Sequence, residues 1–344
     1  MAKLVDLDPL DIERPGHLEA YLRLTGRVSA DDQITARRLS GGVSNRTMLV
    51  ECVSGSKWVV KQGLAKLRVA VDWYSDPVRV HREALAMDWL NQMLPSGSVP
   101  RLVFEDPERH LLAMEMVSQP HVNWKTLLLT QPVDHEHVRQ FGELLGNIHR
   151  LGHDMHASLP PELGDQSLFD SLRLEPYYGY TAKQIPAAAK FLTSLSERTR
   201  GRKDTLVHGD FSPKNILIHD GRLVLLDHEV AHIGDPAFDV GFSLTHLLSK
   251  AHFRADQRDA LAQAAHQYWQ VYRQALGALP WHDDFEERLV QHTLACLLAR
   301  VEGRSPLEYF QETHRARQRH AVLDLLPNPP QSVAELIPAF LERI

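Results

Sequence analysis

One segment, from Leu206 to Glu229, constrains the fold more than any other part of the chain. It reads LVHGDFSPKNILIHDGRLVLLDHE, in which two apolar runs flank the turn residues Asp220 to Arg222, so it predicts an antiparallel hairpin. A three-residue loop would pair position 215 with position 227, whereas a two-residue loop would pair position 215 with Leu226. In either register Asn215 and Asp227 lie together at the open end of the hairpin.

Oxygen-bearing side chains cluster at that open end. Asn215 and Asp227 supply an amide and a carboxylate oxygen, which suit Mg²⁺ because this ion binds through one or two carboxylates together with substrate phosphates. Asp210, five positions before Asn215, is the candidate acceptor for the proton of a substrate hydroxyl. The alternation of an extended chain sends Glu229 to the same side as Asp227, so Glu229 is a further metal ligand or a substrate contact. A solvated surface hairpin would explain none of this spacing.

Upstream of position 117 the sequence favours short strands. Apolar runs alternate with the turn-rich segments SGGVSN, SGS and DPERH, and one helical pattern ends before Pro95. We therefore predict an antiparallel five-stranded sheet with one helix. The predicted strands are Ile34–Leu39, Thr47–Cys52, Lys57–Gln62, Arg101–Glu105 and Leu111–Val117, and the predicted helix is Pro77–Leu94.

Downstream of position 117 helical patterns dominate. They cover Val138–Leu151, Asp256–Leu276 and Phe285–Val301, and a last helix is expected after the proline-rich LPNPPQ. The chain is thus predicted to be an α+β protein. A small N-terminal antiparallel sheet lobe, residues 1–117, precedes a larger, mainly helical C-terminal lobe, residues 118–344, and SQP at 118–120 would form the hinge.

The composition narrows the choice of partners. A formal net charge of -6 and a pI near 6.4 provide no basic surface for nucleic acid or an anionic membrane, so a small-molecule substrate is expected. The N-terminus carries acidic residues where a signal peptide needs an apolar run, which predicts a cytoplasmic protein. Cys52 and Cys296 lie far apart in apolar stretches, as buried thiols in a reducing compartment would.

The motifs HGDFSPKNIL and LLDHEVAHIGDPAFDVG resemble the signature of the aminoglycoside phosphotransferase and choline kinase family. This resemblance implies a bilobal protein-kinase-like fold and an ATP- and Mg²⁺-dependent kinase that phosphorylates a hydroxyl of a small molecule. It implies that Asp210 is the catalytic base and that Asn215 and Asp227 hold magnesium. It further implies that Asp239 braces the catalytic loop and that His208 orients it.

Two upstream segments resemble other parts of the same family. FGELLGNIHRLGH, residues 141–153, is similar to the helix beneath the catalytic loop, which gives His149 an architectural role. SGGVSN is similar to the nucleotide loop, and glycines between two strands allow backbone N–H groups to approach phosphate oxygens closely. The candidate nucleotide contacts in this loop are Gly41, Gly42, Ser44 and Asn45.

Lys61 lies in WVVKQ, a strand otherwise suited to burial, so it needs an anionic partner. Glu83, in the helix that follows, is the expected partner. The pair resembles the lysine and helix glutamate of kinases, in which the lysine contacts nucleotide phosphates. By resemblance alone, Glu115 to Val117 is the hinge whose backbone meets adenine.

The acceptor is left open between a sugar, an amino alcohol and an aminoglycoside-like molecule. VKQGLAKLRV, VDWYSDP and the DHE tripeptide resemble methylthioribose kinase more than they resemble antibiotic kinases. Trp73 and Tyr74 could line the acceptor site or pack in the interior. Arg300 and Arg304 do not distinguish these acceptors, and the sequence gives no indication of oligomeric state.

Three other functions fit the sequence less well. A protein kinase would carry DFG and APE motifs, whereas here DHE is followed after only eleven residues by Asp239. A zinc site at His228 and His232 lacks cysteine ligands nearby. A non-catalytic nucleotide-binding pseudokinase would be expected to lack one or more of the catalytic residues, all of which are present.

Overall fold

The computed structural model describes residues 9–39, 42–69, 72–278 and 284–344. Within these ranges ten strands form three sheets. The strands are β1 Ile34–Arg38, β2 Asn45–Cys52, β3 Lys57–Gly63, β4 Leu102–Asp106, β5 Leu111–Glu115, β6 His121–Asn123, β7 Thr205–Val207, β8 Ile216–His219, β9 Arg222–Leu225 and β10 His232–Gly234.

Helices account for most of the remaining described chain. They are α1 His17–Leu24, α2 Arg79–Met93, α3 Trp124–Thr130, α4 His135–Asp154, α5 Ser167–Phe169, α6 Tyr180–Gln184, α7 Pro186–Arg200, α8 Pro236–Phe253, α9 Arg258–Leu276, α10 Phe285–Glu302, α11 Glu312–Leu325 and α12 Val333–Leu341. A π-helical stretch, Asp170–Gly179, joins α5 to α6. No helix of the described ranges has the length and apolar character needed to cross a bilayer.

The first five strands form one antiparallel sheet in the order β1-β2-β3-β5-β4, which confirms the predicted five-stranded sheet. Helix α2 packs against β3, β4 and β5 and corresponds to the one predicted helix. The sequence patterns missed α1, which has no side-chain hydrogen bond at its N-terminus. Its buried Leu18 and Leu22 join the sheet's own apolar core, and Tyr21 donates a hydrogen bond to Asp106 at 2.6 Å.

The helical part is built around α4, α8, α9 and α10, which pack in the pairs α4 with α9 and α8 with α10. The predicted helical segments are therefore confirmed, with α4 extended to His135–Asp154. Gly146 allows α4 to lie close to α9, because a Cβ there would lie 2.6 Å from Ala275 Cβ and 2.8 Å from the carbonyl oxygen of Tyr272. Cys52 and Cys296 are both buried free thiols.

The hairpin of β8 and β9 has the two-residue loop of the two predicted alternatives. Asp220 and Gly221 both have positive φ, 47° and 71°, as a tight turn matched to strand twist requires. Ile216 consequently pairs with Leu225, and the backbone N–H of Leu226 donates to the carbonyl oxygen of Asn215 at 2.9 Å. Strand β6, which no sequence pattern predicted, pairs with β8 and converts the hairpin into a three-stranded sheet.

Replacing Gly146 with alanine tests the packing of α4 on α9. Alanine has the higher helix propensity by about 1 kcal/mol, but the added methyl would overlap backbone that cannot move freely. We expect the free energy of unfolding, measured by urea denaturation, to fall by about 1–2 kcal/mol. Gly179→Ala is the control, since its Cβ would lie 3.7 Å from Glu175 Cγ, an ordinary contact. Equal stability of both variants would contradict this account.

Candidate active site

The loop between β7 and β8 is held in place by the carboxylate of Asp239, in the first turn of α8. Asp239 Oδ2 accepts the backbone N–H of His208 at 2.6 Å, and Oδ1 accepts that of Gly209 at 2.8 Å. His149 Nε2, from α4, lies 3.3 Å from Oδ2. Burial alone would raise the pKa of Asp239, but its hydrogen bonds to His149 and His208 lower that pKa below its usual value. The carboxylate therefore joins two helices to the loop.

Gly209 and His208 direct the next residue of that loop, Asp210. Gly209 has a φ of +74°, and a Cβ there would lie 2.9 Å from Val230 Cγ2, so this position requires glycine. The backbone N–H of Asp210 donates to Nδ1 of His208 at 3.2 Å. Burial lowers the pKa of His208, which favours the neutral ring that this acceptor role needs.

The carboxylate of Asp210 is fixed through one of its oxygens. Oδ2 accepts from Asn215 Nδ2 at 2.7 Å and lies 2.9 Å from an Nη atom of Arg173. Arg173 also donates from Nε to the carbonyl oxygen of Gly209 at 2.9 Å. Sequence reasoning missed Arg173, which lies between two leucines in the π-helical stretch. The sequence feature that could have identified Arg173 is a cation within an apolar run, because a buried cation requires an anionic partner.

Asn215 and Asp227 lie at the open end of the hairpin, Asn215 directly before β8 and Asp227 two residues after β9. Both hydrogen bonds of the Asn215 side chain use its NH₂ group, which donates to the Asp210 backbone carbonyl at 3.0 Å and to the Asp210 side chain. Asp227 has a φ of +68°, a left-handed conformation unusual for a residue other than glycine. Burial would raise the pKa of Asp227, but Lys61, Lys214 and Arg173 hold it at about 2, so the carboxylate is ionised.

Lys61 and Glu83 form the ion pair that the sequence predicted. Lys61 Nζ, on β3, lies 2.6 Å from Glu83 Oε1 of α2 and 3.5 Å from Asp227 Oδ1. Burial opposes the charge of Lys61, but attraction to Glu83 and Asp227 outweighs it and raises the pKa of Lys61. Glu83 is fully buried, and that burial raises its pKa despite the opposing effect of Lys61. The pair fixes the lysine toward Asp227.

Glu229 connects the segment after the hairpin to the first residue of β2. Its Oε2 accepts from Asn45 Nδ2 at 3.2 Å and lies 3.2 Å from Arg79 Nε. Arg79, a fully buried residue of α2 that sequence reasoning missed, also donates to the carbonyl oxygens of Ser44 and Leu64. Burial and repulsion from Asp227 raise the pKa of Glu229, and Arg79 opposes that shift.

A cavity of about 870 Å³ brings most of the predicted site residues together. Glu83 lies behind Lys61 and does not line it, Gly41 lies outside the described residues, and Trp73 lines it while donating to the carbonyl oxygen of Ser171. Tyr74 is largely exposed and does not line the cavity. The predicted residues that line the cavity are Gly42, Ser44, Asn45, Lys61, Glu115, Val117, Asp210, Asn215, Asp227 and Glu229.

The donor set of this cavity fits a metal ion shared with a phosphorylated substrate. Within the described ranges no group of three histidine, cysteine, aspartate or glutamate side chains could hold a metal ion on its own. His228 and His232 therefore belong to no such group. Mg²⁺ needs fewer protein ligands than that when phosphate oxygens and water complete its shell. The ionised Asp227 and the Asn215 amide oxygen, which accepts no hydrogen bond from the described residues, meet this requirement.

Residues 35–279 match the phosphotransferase enzyme family. The chain belongs to this family. It is 26% identical over 256 residues to methylthioribose kinase of Yersinia pseudotuberculosis, a match that covers 66% of this chain and 62% of the relative. The chain thus aligns with less than two thirds of the length of that relative.

Solved structures of the family share the fold. Macrolide 2′-phosphotransferase MphH from Brachybacterium faecium superposes with a TM-score of 0.51 at 19% identity, over 91% of this chain and 99% of that one. Choline kinase LicA from Streptococcus pneumoniae superposes with a TM-score of 0.51 at 14% identity, over 95% and 100% of the two chains. These similarities confirm the predicted α+β, protein-kinase-like fold. The predicted family is confirmed by the match over residues 35–279.

Replacing Asp239 with asparagine tests the carboxylate that holds the loop. Because the folded state depresses the Asp239 pKa, its stabilising contribution is complete above the unfolded value of about 3.9 and is lost as pH falls through the folded value. At pH 7 we expect Asp239→Asn to lower the free energy of unfolding by about 3 kcal/mol. Urea denaturation at several pH values should show this difference narrowing below about pH 4.

Asp256→Asn is the control for that measurement, because Asp256 is an exposed carboxylate paired with Arg254. It should leave the denaturation midpoint at pH 7 nearly unchanged. A difference between wild type and Asp239→Asn that stays constant or grows on acidification would contradict the assigned role of Asp239.

Proposed function

We propose that this protein is an ATP- and Mg²⁺-dependent kinase that transfers the γ-phosphoryl group to a hydroxyl of a small molecule. The observation that carries the proposal is the convergence of Asp210, Asn215, Asp227 and Lys61 on one cavity. Phosphoryl transfer requires positioned phosphates, a metal ion and an acceptor held in line, rather than covalent participation of the protein. This set of residues supplies a group for each of these requirements.

Asp210 is the proposed general base. The oxygen of the acceptor hydroxyl forms a bond to the γ-phosphorus, and the bond from that phosphorus to the oxygen bridging to the β-phosphorus breaks. ADP leaves with the electron pair, and the hydroxyl proton passes to Asp210. Because Oδ2 of Asp210 is engaged by Asn215 and Arg173, Oδ1 is the oxygen that receives the proton.

Lys61 and the hairpin residues are proposed to hold the nucleotide. Lys61, kept charged by Glu83 and Asp227, contacts the phosphates. Asn215 and Asp227 would hold Mg²⁺, which neutralises charge that develops on the phosphate oxygens. One oxygen of Glu229 is engaged by Asn45 and Arg79, which leaves Oε1 as the atom that would meet metal or substrate.

The remaining contacts are proposed from the family resemblance and, for the described residues among them, from their place in the cavity lining. The segment Glu115 to Val117 meets adenine at the junction of residues 1–117 and 118–344, and Gly41, Gly42, Ser44 and Asn45 contact the phosphates. The reaction is assigned to the cytoplasm, where ATP is available and where Cys52 and Cys296 stay reduced. The proposed acceptor is a sugar, an amino alcohol or an aminoglycoside-like compound.

Asp210→Asn tests the proposed base. The substitution keeps the hydrogen-bonding shape but removes proton-accepting power, so we expect kcat to fall by about 10²–10⁴-fold while the affinity for Mg·ATP stays within about twofold. A coupled ADP-release assay with pooled sugars, amino alcohols and aminoglycosides measures kcat, and calorimetry measures affinity. Asp220→Asn, at the tip of the same hairpin, is the control and should retain activity. Turnover near that of wild type in Asp210→Asn would disprove the assignment.

Asp227→Ala tests the proposed metal site. Removal of the ionised carboxylate should abolish the magnesium-dependent part of nucleotide binding, since Asn215 alone offers only a neutral oxygen. Thermal shifts with AMP-PNP, recorded with magnesium and with EDTA, separate that part from the rest. Glu108→Ala, an exposed carboxylate between β4 and β5, is the control. Undiminished stabilisation of Asp227→Ala by Mg·AMP-PNP would refute this role.

A further inference from the structure

The cavity that Asp210 lines also has a wall formed by the helical part of the chain. His246 of α8 and Arg300 of α10 line it, together with Ser305 and Glu308 of the segment after α10 and Lys125 of α3. None of these residues has a role in the proposed contacts with ATP. The wall is where an acceptor hydroxyl next to Asp210 would extend the rest of its molecule.

Arg300 is the key residue of this wall. It is 8% exposed, lines the cavity, and donates through one Nη atom to Ser305 and, at 3.2 Å, to the hydroxyl of Tyr177. Its Nε atom is buried without a hydrogen-bond partner in the described chain. Among the described residues Arg300 forms no ion pair within 4 Å, and the carboxylate that it attracts, Glu308, is paired with Lys125 instead. A buried cation without a counter-ion is strongly unfavourable, so an anion from outside the chain would stabilise it.

A second basic side chain, Lys250, lies behind the same wall. It lies one helical turn after His246, is fully buried, and donates to the His246 carbonyl oxygen at 3.2 Å. Among the described residues it has no carboxylate within 4 Å, and the Tyr309 ring centroid lies 5.8 Å from Nζ. Burial lowers the Lys250 pKa to about 7, and repulsion by Lys125 and Arg300 adds to this shift.

The pKa of His246 is lowered by the basic side chains around this wall as well as by burial. Burial lowers the pKa of its imidazole well below the usual value, and four cations lower it further. Those cations are Lys250, Arg300, Lys214 and Lys125. Of the acids near this wall, Glu308 is already paired with Lys125. At the other end of the cavity Asp210, Asp227 and Glu229 each have a cation within 4 Å, so acidic charge there is already compensated.

We propose that this wall binds an anionic group, a carboxylate or a phosphate, carried by the acceptor, with Arg300 as its principal contact. The inference rests on the proposed kinase function and replaces the three acceptor classes named above with an anionic one: a hydroxy acid or a hydroxylated phosphate ester. A planar guanidinium matches such a group through two parallel hydrogen bonds. A cationic amino alcohol or aminoglycoside would instead meet Arg300 and Lys214 with like charge.

A matched acceptor panel tests this substrate class. Hydroxy acids of three to six carbons, their primary amides, hydroxylated phosphate esters of similar size, and choline are compared by kcat/KM in the ADP-release assay at saturating Mg·ATP. We expect the anionic compounds to exceed the amides and choline by at least about tenfold, the effect of roughly 1.4 kcal/mol of selective binding. The better of the two anionic series identifies the group as carboxylate or phosphate.

Arg300→Gln should reduce the preference for anions over amides by about tenfold or more, with the KM for Mg·ATP within about twofold of wild type. Arg300→Lys keeps the charge and should restore part of the preference. Arg304→Gln is the control, since Arg304 is already paired with Glu175 and does not line the cavity. If Arg300→Gln does not fold, the panel on wild type decides alone.

Better turnover of amides or choline would overturn the inference while leaving the kinase function intact. An equal loss for all acceptors in Arg300→Gln, or a large rise in the KM for ATP, would also overturn it. If no compound is phosphorylated, the same hydroxy acids and phosphate esters are tested for thermal stabilisation of the Mg·AMP-PNP complex. Stabilisation that Arg300→Gln removes would support the anion site, and its absence from wild type would reject it.

Discussion

The catalytic geometry depends on one buried carboxylate that accepts two consecutive backbone N–H groups. Asp239 occupies the first turn of α8, contacts His149 of α4, and fixes the backbone of His208 and Gly209. Since a buried charge is tolerated only with such hydrogen bonds, helix packing and loop conformation stabilise each other. This arrangement also sets the direction of Asp210, because Gly209, whose N–H is bound by Asp239, has a positive φ and turns the chain there.

The acids of the site are paired with cations from separate elements. Arg173 of the π-helical stretch contacts Asp210, and Lys61 of the first sheet lies between Glu83 and Asp227. Opposite charges within 4 Å let several carboxylates share one cavity while Asp227 stays ionised. At the wall around Arg300, Glu308 is paired with Lys125, and Arg300 has no carboxylate of the described residues within 4 Å, so a substrate anion fits there.

Local signals in the sequence were sufficient for much of the fold. Alternating apolar residues and turn chemistry predicted the five-stranded sheet and the hairpin, and helical periodicity predicted α4, α9 and α10. Strand β6 was missed because its three residues carry no pattern of their own and pair with β8, far along the chain. Helix α1 was missed because it is short and lacks a capping side chain.

The sequence by itself determined that Asn215 and Asp227 meet, because a tight turn fixes the pairing of the strands beside it over about ten residues. The tertiary structure chose the two-residue loop, since Asp220 and Gly221 both adopt positive φ. It also decided which cations face the acids and which do not. Arg79, Arg173 and Arg300 lie on separate helical segments, and sequence spacing contains no information about how distant segments pack.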